Sequence, residues 1–215
     1  MSKIVIIGAT GYTGTNITRE LVVRGHEVTA VARDVGKLTV EGTRQVSGSI
    51  EDLAFVTDLV GGQDVVITAV HHRAHDGGPT LAEIIAPIAE AVHAAGARLG
   101  VVGGAGSLRV AENGPRVFET PDFPEAFVPE ATQAFETLKA LQSLPDSIDW
   151  FYVSPAAGYG RHNVGTRLGH YRLGNEVIVK DEAGVSFISG EDFAIAFVDE
   201  IEQPAHKNER FTVGY

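Results

Sequence analysis

The amino-acid sequence predicts an α/β fold in which helices cover both faces of a doubly wound parallel sheet. Short apolar runs, typical of strands buried on both faces, alternate along the chain with segments whose apolar residues recur at helical spacing. A length of 215 residues suits one such domain, and 44% hydrophobic with 21% charged residues is ordinary for a globular protein. We therefore expect one domain over residues 1–215, with a small C-terminal excursion over about residues 155–190.

Charge and composition narrow the classes of function. The formal net charge of −11 at pH 7 disfavours nucleic acid as a partner, because nucleic-acid-binding proteins present basic surfaces. The chain has no cysteine, which excludes disulfides, thiolate metal sites and cysteine nucleophiles. No apolar run has the length of a membrane span, and the first one enters a glycine turn instead of a signal-peptide cleavage site. We expect a cytoplasmic protein with no membrane partner.

The first predicted strand ends in a glycine-rich turn. The apolar run 4–7 enters three glycines spaced G-x-x-G-x-x-G, and Ile17 and Leu21 then fall one helical turn apart. In this strand–turn–helix context the motif predicts a dinucleotide site, because free N–H groups at a helix N-terminus bind a pyrophosphate. A glycine turn without a ligand is the alternative, which the flanking strand and helix weaken. The predicted cofactor contacts are Gly8, Ala9, Thr10, Gly11, Tyr12, Thr13 and Gly14.

The residues after the second predicted strand indicate which dinucleotide binds. Residues 26–32 have the pattern of that strand, and Arg33 and Asp34 follow it directly. At this place an acidic residue binds the ribose 2′-hydroxyl, whereas an arginine accommodates the 2′-phosphate of NADP(H). Arg33, followed by Lys37, favours NADP(H) over NAD(H). Two alternatives stay open: Asp34 as the ribose-binding acid, and Arg33 as a solvated loop charge.

The next elements continue the alternation of strand and helix. Residues 43–48 are predicted as the third strand and residues 64–70 as the fourth. Between them, Ser49 and Asp52 have the spacing of a capping box that opens a helix through about Val60. This order predicts parallel pairing, right-handed crossovers and a binding crevice at the carboxyl ends of the strands.

The loop after the fourth strand is rich in histidine. Three histidines and an aspartate fall within residues 71–76, which invites a metal interpretation, but residues 77–79 (Gly-Gly-Pro) indicate a loop without helical ligand spacing. We therefore expect no metal site. The position at the end of a central strand instead predicts that Ala69, Val70 and His71 border the nicotinamide of the cofactor. His71 is a candidate proton donor there, and a solvated loop histidine is the alternative.

A long irregular stretch interrupts the second half of the chain. Residues 80–95 are predicted as a helix and residues 98–103 as the fifth strand, with Gly104 beyond it as a further cofactor contact. Residues 109–129 contain several prolines and three phenylalanines and have no regular period. Such a loop is typically a binding lid or a segment that its aromatics pin to the core, and the sequence favours neither.

The last third of the chain completes the sheet. Residues 130–144 are predicted as a helix, 148–153 as the sixth strand and 211–215 as a terminal strand. A further strand is expected at 177–179, and a final helix is capped within residues 189–192. Four residues after the sixth strand are predicted to lie around the nicotinamide: Ser154, Pro155, Ala156 and Ala157.

Several blocks together carry a resemblance that extends nearly from end to end. The blocks are 8–14 (GATGYTG), 31–34 (VARD), 101–108 (VVGGAGSL), 154–156 (SPA), 171–174 (YRLG), 188–193 (ISGEDF) and 210–214 (RFTVG). The chain resembles the atypical short-chain dehydrogenase/reductase family, in particular its NAD(P)H-binding, NmrA-like members. These include proposed NADH-flavin reductases and biliverdin-IXβ/flavin reductase. The resemblance implies a Rossmann-type fold, a reduced nicotinamide cofactor and a flavin-like hydride acceptor.

The resemblance also implies site residues from which this sequence departs. Relatives commonly carry an aspartate near the adenine where this chain has Ser49, followed by Ile50. Short-chain dehydrogenases carry a hydroxyl residue near the end of the fifth strand, where only Ser107 is available, and a Tyr-x-x-x-Lys pair in the following helix. The match to that spacing here is Phe135 with Lys139, and phenylalanine has no proton to donate.

These observations predict an NAD(P)H-dependent reductase of a flavin, quinone or similar conjugated acceptor. A solvent proton can complete such a reaction, so the protein mainly orients the reactants and excludes water. A flavin is expected as substrate and not as a bound prosthetic group. The alternatives are a non-catalytic NADP(H) sensor that acts through a protein partner and, less favoured, a sugar epimerase or dehydratase. The catalytic candidates are His71, Ser107 and Tyr159, and we expect a monomer or homodimer.

Overall fold

The computed structural model describes residues 1–74 and 77–215. Within them the strands are β1 (Lys3–Ile7), β2 (Glu27–Ala32), β3 (Arg44–Ser47), β4 (Val65–Thr68), β5 (Arg98–Val102), β6 (Trp150–Ser154), β7 (Arg172–Gly174) and β8 (Glu209–Gly214). The α-helices are α1 (Tyr12–Val23), α2 (Leu53–Leu59), α3 (Leu81–Ala94), α4 (Val128–Gln142) and α5 (Gly190–Glu202).

All eight of these strands form one sheet, which confirms the predicted fold class. The order across the sheet is β3-β2-β1-β4-β5-β6-β8-β7, and every neighbouring pair is parallel except β7 with β8. The chain leaves β1 toward one side for β2 and β3, and returns to the other side for β4. A crevice therefore opens between the carboxyl ends of β1 and β4, where doubly wound sheets bind their ligands.

Two apolar cores lie on the two faces of the sheet. Alternate residues of β1 enter different cores: Ile4 and Ile6 join the face covered by α1 and α5, and Val5 and Ile7 join the face covered by α2, α3 and α4. These four side chains are at most 2% exposed, as expected for a central parallel strand. Burial of both faces explains why the strands read as continuous apolar runs in the sequence.

The start of α2 corrects one prediction. The side chain of Asp52, not that of Ser49, caps this helix, by accepting a hydrogen bond of 3.0 Å from the N–H of Phe55. The hydroxyl of Ser49 instead accepts a bond of 3.3 Å from the N–H of Glu51, in the preceding turn. Asp is as good an N-cap as Ser, so the helix starts after the second member of the pair.

The strand expected at residues 177–179 is also wrong. The edge of β8 is occupied by β7, in which Arg172 lies opposite Gly214. Residues 177–179 lie instead beside the long loop: Val177 forms one isolated bridge with Arg109, whose carbonyl accepts a 2.9 Å bond from the N–H of Ile178. Residues 177–179 have the apolar pattern of a strand, but β7 occupies the edge of the sheet beside β8.

The long loop 109–129 is pinned to the fold by one aromatic and touches the C-terminal excursion with another. The ring of Phe118 packs against Phe135 of α4, at 6.1 Å between centroids, whereas Phe127 is 54% exposed and stacks on His162. Val117–Glu119 and Glu125–Phe127 are short 3-10 turns. None of residues 109–129 borders the cleft described below. Of the two alternatives, the structure therefore favours a segment pinned to the core over a binding lid.

A buried ion pair lies at the amino-terminal end of β5. Glu200 of α5 is 4% exposed and accepts a bond of 2.7 Å from the guanidinium of Arg98, at the start of β5. Its other carboxylate oxygen lies 2.6 Å from the imidazole of His206. Burial alone would raise the pKa of Glu200, but the bonds from His206 and Arg98 outweigh it and lower that pKa.

We expect Glu200→Gln to lower the free energy of unfolding by about 3 kcal/mol at neutral pH, because it removes the buried counter-charge of the Arg98 guanidinium. The carboxylate of Asp149 stays 3.1 Å from Arg98 Nε, but its side chain is 41% exposed and compensates less. The carboxylate contribution is present above the ordinary glutamate pKa of about 4.3 and is lost as pH falls through the lower folded pKa. Denaturant unfolding should therefore show the difference between the proteins shrinking below about pH 4. Glu136→Gln, which removes an exposed pair with Lys139, is the control. An equally small effect of both substitutions would contradict the expectation.

Candidate functional site

A cleft of about 640 Å³ lies at the carboxyl ends of β1, β2, β4 and β5. The loops that follow these strands form its walls, and the C-terminal excursion covers one side. The residues named in the sequence analysis that line it are Gly8, Thr10, Gly11, Tyr12, Thr13, Arg33, Ser49, Ile50, Ala69, Val70, His71 and Tyr159. The topology therefore brings residues that are up to 151 positions apart, Gly8 and Tyr159, to one crevice.

Backbone packing holds the glycine turn against the end of β4. Gly8 has a φ of +95°, and a Cβ there would lie 2.4 Å from the carbonyl oxygen of Ala69. Gly14 sits in the first turn of α1, where a Cβ would lie 2.1 Å from the carbonyl oxygen of Gly8. Gly11 is less crowded, with its nearest contact at 3.4 Å. Two of the three glycines are thus required by close backbone approach.

The turn presents free hydrogen-bond donors at the start of α1. The N–H groups of Gly8 and Ala9 both donate to the carbonyl of Val31, at 3.0 and 3.2 Å. In contrast, the N–H groups of Thr10, Tyr12 and Thr13 donate to no protein group in the described part of the chain. All three residues line the cleft, and the positive end of the α1 dipole lies there. Such a cradle binds an anion such as a pyrophosphate.

One end of the cleft is formed by the residues after β2 and β3. It is lined by Val31, Ala32, Arg33, Gly48, Ser49 and Ile50, and the hydroxyl of Ser47 donates to the Arg33 carbonyl at 3.1 Å. Arg33 thus lies where the sequence predicts the 2′-phosphate site. Lys37 does not line the cleft: its side chain is 74% exposed, and its ammonium lies 3.4 Å from the carboxylate of Asp34.

The other end of the cleft contains a carboxylate that three consecutive residues surround. Glu130, in the first turn of α4, accepts a 2.9 Å hydrogen bond from the N–H of His72. The imidazole Nδ1 of His71 lies 3.5 Å from Glu130 Oε1, and Nε of Arg73 lies 3.6 Å from Oε2. Burial would raise the pKa of Glu130, but the His71 imidazole and the His72 N–H lower it to about 2. The carboxylate is therefore ionised and ties the loop after β4 to α4.

His71 and His72 have opposite environments although they are neighbours. The side chain of His71 is 79% exposed, and its contact with Glu130 raises its pKa. The imidazole of His72 is buried between Thr137 Oγ1 at 3.0 Å and the carbonyl of Val102 at 2.9 Å, and burial lowers its pKa. His71 is thus the readily protonated histidine at this end of the cleft, and His72 is a structural one.

Two tyrosines join the C-terminal excursion to the glycine turn. The hydroxyl of Tyr159 lies 2.7 Å from Thr13 Oγ1, and burial raises its pKa. The hydroxyl of Tyr12 accepts a bond of 3.1 Å from the N–H of Gly190 and donates to the carbonyl of Val164 at 3.3 Å. The two rings pack with their centroids 5.5 Å apart. The excursion is thereby held over the turn.

Comparison with known proteins agrees with this geometry. The family model described as NAD(P)H-binding matches residues 8–204. The chain belongs to the NAD(P)H-binding family. Its sequence is 39% identical to the Bacillus subtilis protein YwnB over 218 aligned positions, covering 98% of this chain and 97% of YwnB.

Solved structures of similar proteins have the same fold. A proposed epimerase of Bacteroides thetaiotaomicron is 37% identical, with a TM-score of 0.88 over 100% of this chain and 97% of that one. A proposed NADH-flavin reductase of Streptococcus pneumoniae is 33% identical, with a TM-score of 0.82 over 100% of this chain and 99% of that one. These likenesses support the resemblance to atypical short-chain dehydrogenases and an oxidoreductase-like NAD(P)H-binding fold.

Several residues of the predicted site lie outside the cleft. They are Ala9, Gly14, Lys37, Gly104, Ser107, Ser154, Pro155, Ala156 and Ala157. Ser107 is 1% exposed and its hydroxyl accepts a bond of 2.7 Å from Arg210, so it is a buried structural residue and not a catalytic one. Ser154 is fully buried at the end of β6, and its carbonyl accepts a bond from Thr212 Oγ1. Strand β6 lies two strands from β4 and thus beyond the switch point.

Five charged or histidine residues of the cleft were not among the predicted site residues. They are Glu51, His72, Arg73, Glu130 and Arg161. Glu130 in particular follows His71 by almost sixty positions, and an acidic residue in the first turn of a helix normally indicates only a favourable helix dipole. Its role at the cleft depends on the packing of α4 against α3, which no local pattern encodes.

The described residues show neither a metal-binding cluster nor a membrane-spanning helix. Residues 1–74 and 77–215 contain no cluster of three histidine, aspartate or glutamate side chains placed to hold a metal ion. Part of the histidine-rich motif, His75 and Asp76, lies outside the described residues. Among the helices that the structure describes, none combines the length and the apolar composition that crossing a bilayer requires.

We expect Gly8→Ala to impair both folding and nucleotide binding, because the positive φ and the approach of Ala69 leave no room for a methyl group. The expected cost is about 2–4 kcal/mol of unfolding free energy, measured by denaturant titration, with at least tenfold weaker NADPH binding in fluorescence titrations. Gly61→Ala is the matched control, since its nearest contact would be at 3.7 Å. Equal behaviour of the two variants would show that the turn tolerates a side chain.

Proposed function

We propose that the cleft binds NADP(H) and that the protein transfers a hydride from it to a conjugated acceptor such as a quinone or a flavin. The free N–H groups of Thr10, Tyr12 and Thr13 at the α1 N-terminus carry this proposal. They form an anion cradle in a crevice of the family's nucleotide-binding type, with the backbone close enough that no Cβ fits at Gly8.

The two ends of the cleft fit the two halves of a dinucleotide. With the pyrophosphate at the glycine turn, the adenosine extends toward Arg33, Ser49 and Ile50, and the nicotinamide toward Val70 and His71. Arg33 offers a guanidinium for a 2′-phosphate, which supports NADP(H) over NAD(H). The reduced nicotinamide supplies the hydride, and the chain's own residues bind, orient and exclude water.

The residues of α4 support a reaction in which no tyrosine donates a proton to the acceptor. Phe135 stands in α4 where short-chain dehydrogenases have their tyrosine, and the guanidinium of Arg116 lies 4.0 Å above its ring. Alcohol–ketone chemistry and sugar epimerisation therefore lack their usual acid, although one relative is named as a proposed epimerase. The relative named as a proposed NADH-flavin reductase agrees better with these residues.

The test is oxidation of NADPH and NADH, followed at 340 nm, with FMN, riboflavin and a panel of small quinones as acceptors. Nucleotide binding is measured alongside by fluorescence titration. Preferential consumption of NADPH with at least one conjugated acceptor is the expected result. Tight binding without turnover would overturn the reductase and favour a non-catalytic NADP(H) sensor. Absence of nucleotide binding would overturn both.

We expect Arg33→Ala to weaken NADPH binding about 10–100-fold while NADH binding changes less than threefold, because only NADPH carries the 2′-phosphate. Lys37→Ala is the comparison, since its ammonium lies beside Asp34 and outside the cleft. Dissociation constants for both nucleotides come from fluorescence titration. An equal loss for NADPH and NADH in Arg33→Ala would contradict recognition of the 2′-phosphate.

The cytoplasmic location, the small-molecule acceptor and the monomeric or homodimeric state stay predictions from the sequence. Size-exclusion chromatography with light scattering measures the last of these directly.

A further inference from the structure

We propose that His71 is the proton donor to the reduced acceptor, held in place by Glu130, and that the enzyme therefore favours acceptors whose oxygen becomes basic on reduction. Quinones and conjugated carbonyl compounds form this class. The inference rests on the proposed reductase function and deepens it. It replaces the solvent proton of the sequence-based prediction by a side chain of the cleft.

The placement of His71 carries the proposal. The residue follows the end of β4 and lines the cleft together with Val70, at the end opposite Arg33. Its Nδ1 faces Glu130 Oε1 at 3.5 Å, which leaves Nε2 for a ligand in the cleft. A carboxylate that orients an imidazole through one nitrogen while the other exchanges a proton is a recurring catalytic arrangement.

Glu130 is fixed independently of His71. Its Oε1 accepts the backbone N–H of His72 at 2.9 Å, and Arg73 lies beside Oε2. The carboxylate is therefore already positioned by the loop that carries His71. Glu130 is a positioning residue in this scheme: it touches His71 and not the acceptor.

The charges around His71 favour its protonated form. Glu130 raises its pKa, and Arg73, on the same loop, opposes that effect. Burial lowers the pKa of His72, which favours its neutral imidazole. Glu51 and Arg161 line the same cleft from other segments and carry opposite charges. Glu130 therefore favours the imidazolium form of His71, which is the form that can donate a proton.

The other side chains with a transferable proton at this end fit the role less well. Burial raises the pKa of the Tyr159 phenol, and its hydroxyl is paired with Thr13 Oγ1 at 2.7 Å. The hydroxyl of Tyr12 is engaged by the Gly190 N–H and the Val164 carbonyl. The imidazole of His72 is enclosed by Thr137 and Val102.

The proton inventory separates the two acceptor classes. A quinone that accepts a hydride, and with it two electrons from NADPH, becomes a monoanion whose phenolate oxygen is a base with a pKa of about 10. The Nε2–H bond of His71 breaks, an O–H bond forms, and water later reprotonates the neutral imidazole. An oxidised flavin that accepts a hydride becomes a reduced anion that is stable at neutral pH, so its formation requires no acid.

The experiment compares His71→Gln, Glu130→Gln and the wild type with a small naphthoquinone and with FMN over a range of pH. His93→Gln, which alters an exposed histidine in the last turn of α3, is the matched control. We expect His71→Gln to lower kcat for the quinone about 100-fold, while FMN reduction and NADPH affinity stay within about threefold. The fall of the quinone kcat at alkaline pH should disappear with it.

Glu130→Gln has a different expected signature. It should retain quinone reduction at low pH, and its alkaline limb should move to lower pH, because the carboxylate no longer raises the His71 pKa. A pH titration of the histidine ring protons by NMR should show that Glu130→Gln lowers the pKa of His71 and leaves that of His93 unchanged.

Four results would overturn the proposal. If His71→Gln and His93→Gln have the same kcat and pH profile with the quinone, His71 is not the proton donor, but the proposed reductase function stands. The same holds if the wild type reduces FMN but no quinone, or if His71→Gln slows both acceptors equally. A wild type that binds NADPH and reduces nothing would overturn the proposed function itself, and this inference with it.

Discussion

The close approach of two backbone segments organises this molecule. The glycine turn after β1 lies directly on the end of β4, with Gly8 against the Ala69 carbonyl and Gly14 against the Gly8 carbonyl. Without side chains at these two positions, α1 begins beside the switch point of the sheet and directs its free N–H groups into the crevice. The position of the cleft, the direction of its free N–H groups and its relation to the loop after β4 all depend on this contact.

Two polar contacts then build the walls of the cleft on that backbone. Glu130 joins the loop 71–73 to the start of α4, so the long loop between β5 and α4 needs no contact of its own with the site. Tyr12 and Tyr159 join the C-terminal excursion to the glycine turn from the other side. The side chains that face the expected nicotinamide are therefore supported by contacts with α1 and α4.

The features that the sequence predicts well are those with a local cause. A run such as Ile4–Ile7 requires burial on both faces, and G-x-x-G-x-x-G requires a close turn, so the sheet, the first helix and the glycine turn between them are foreseeable. The capping of α2 was misplaced by one turn because Ser49 and Asp52 are both good caps. The strand at 177–179 was wrong because occupancy of a sheet edge is a tertiary property.

Long-range contacts decide the rest. Ser107 has the position of a catalytic hydroxyl along the chain, but Arg210, more than a hundred residues away, takes its hydroxyl. Glu130 is the opposite case, a residue of the cleft that the sequence does not indicate. Its sequence context is that of an ordinary helix start, and only the packing of α4 brings it to His71. The sequence shows that position 135 holds phenylalanine and not tyrosine. Only the structure shows that the guanidinium of Arg116 lies above the Phe135 ring.

The central claim is that the free N–H groups at the start of α1 bind the pyrophosphate of NADP(H). Titration of the ¹⁵N-labelled protein with NADPH, followed by amide NMR, tests it most directly. The largest shifts are expected at Thr10, Tyr12 and Thr13, with smaller ones at Arg33 and His71 at the two ends of the cleft. Binding with no change at those three amides, or shifts centred on another face of the sheet, would contradict it.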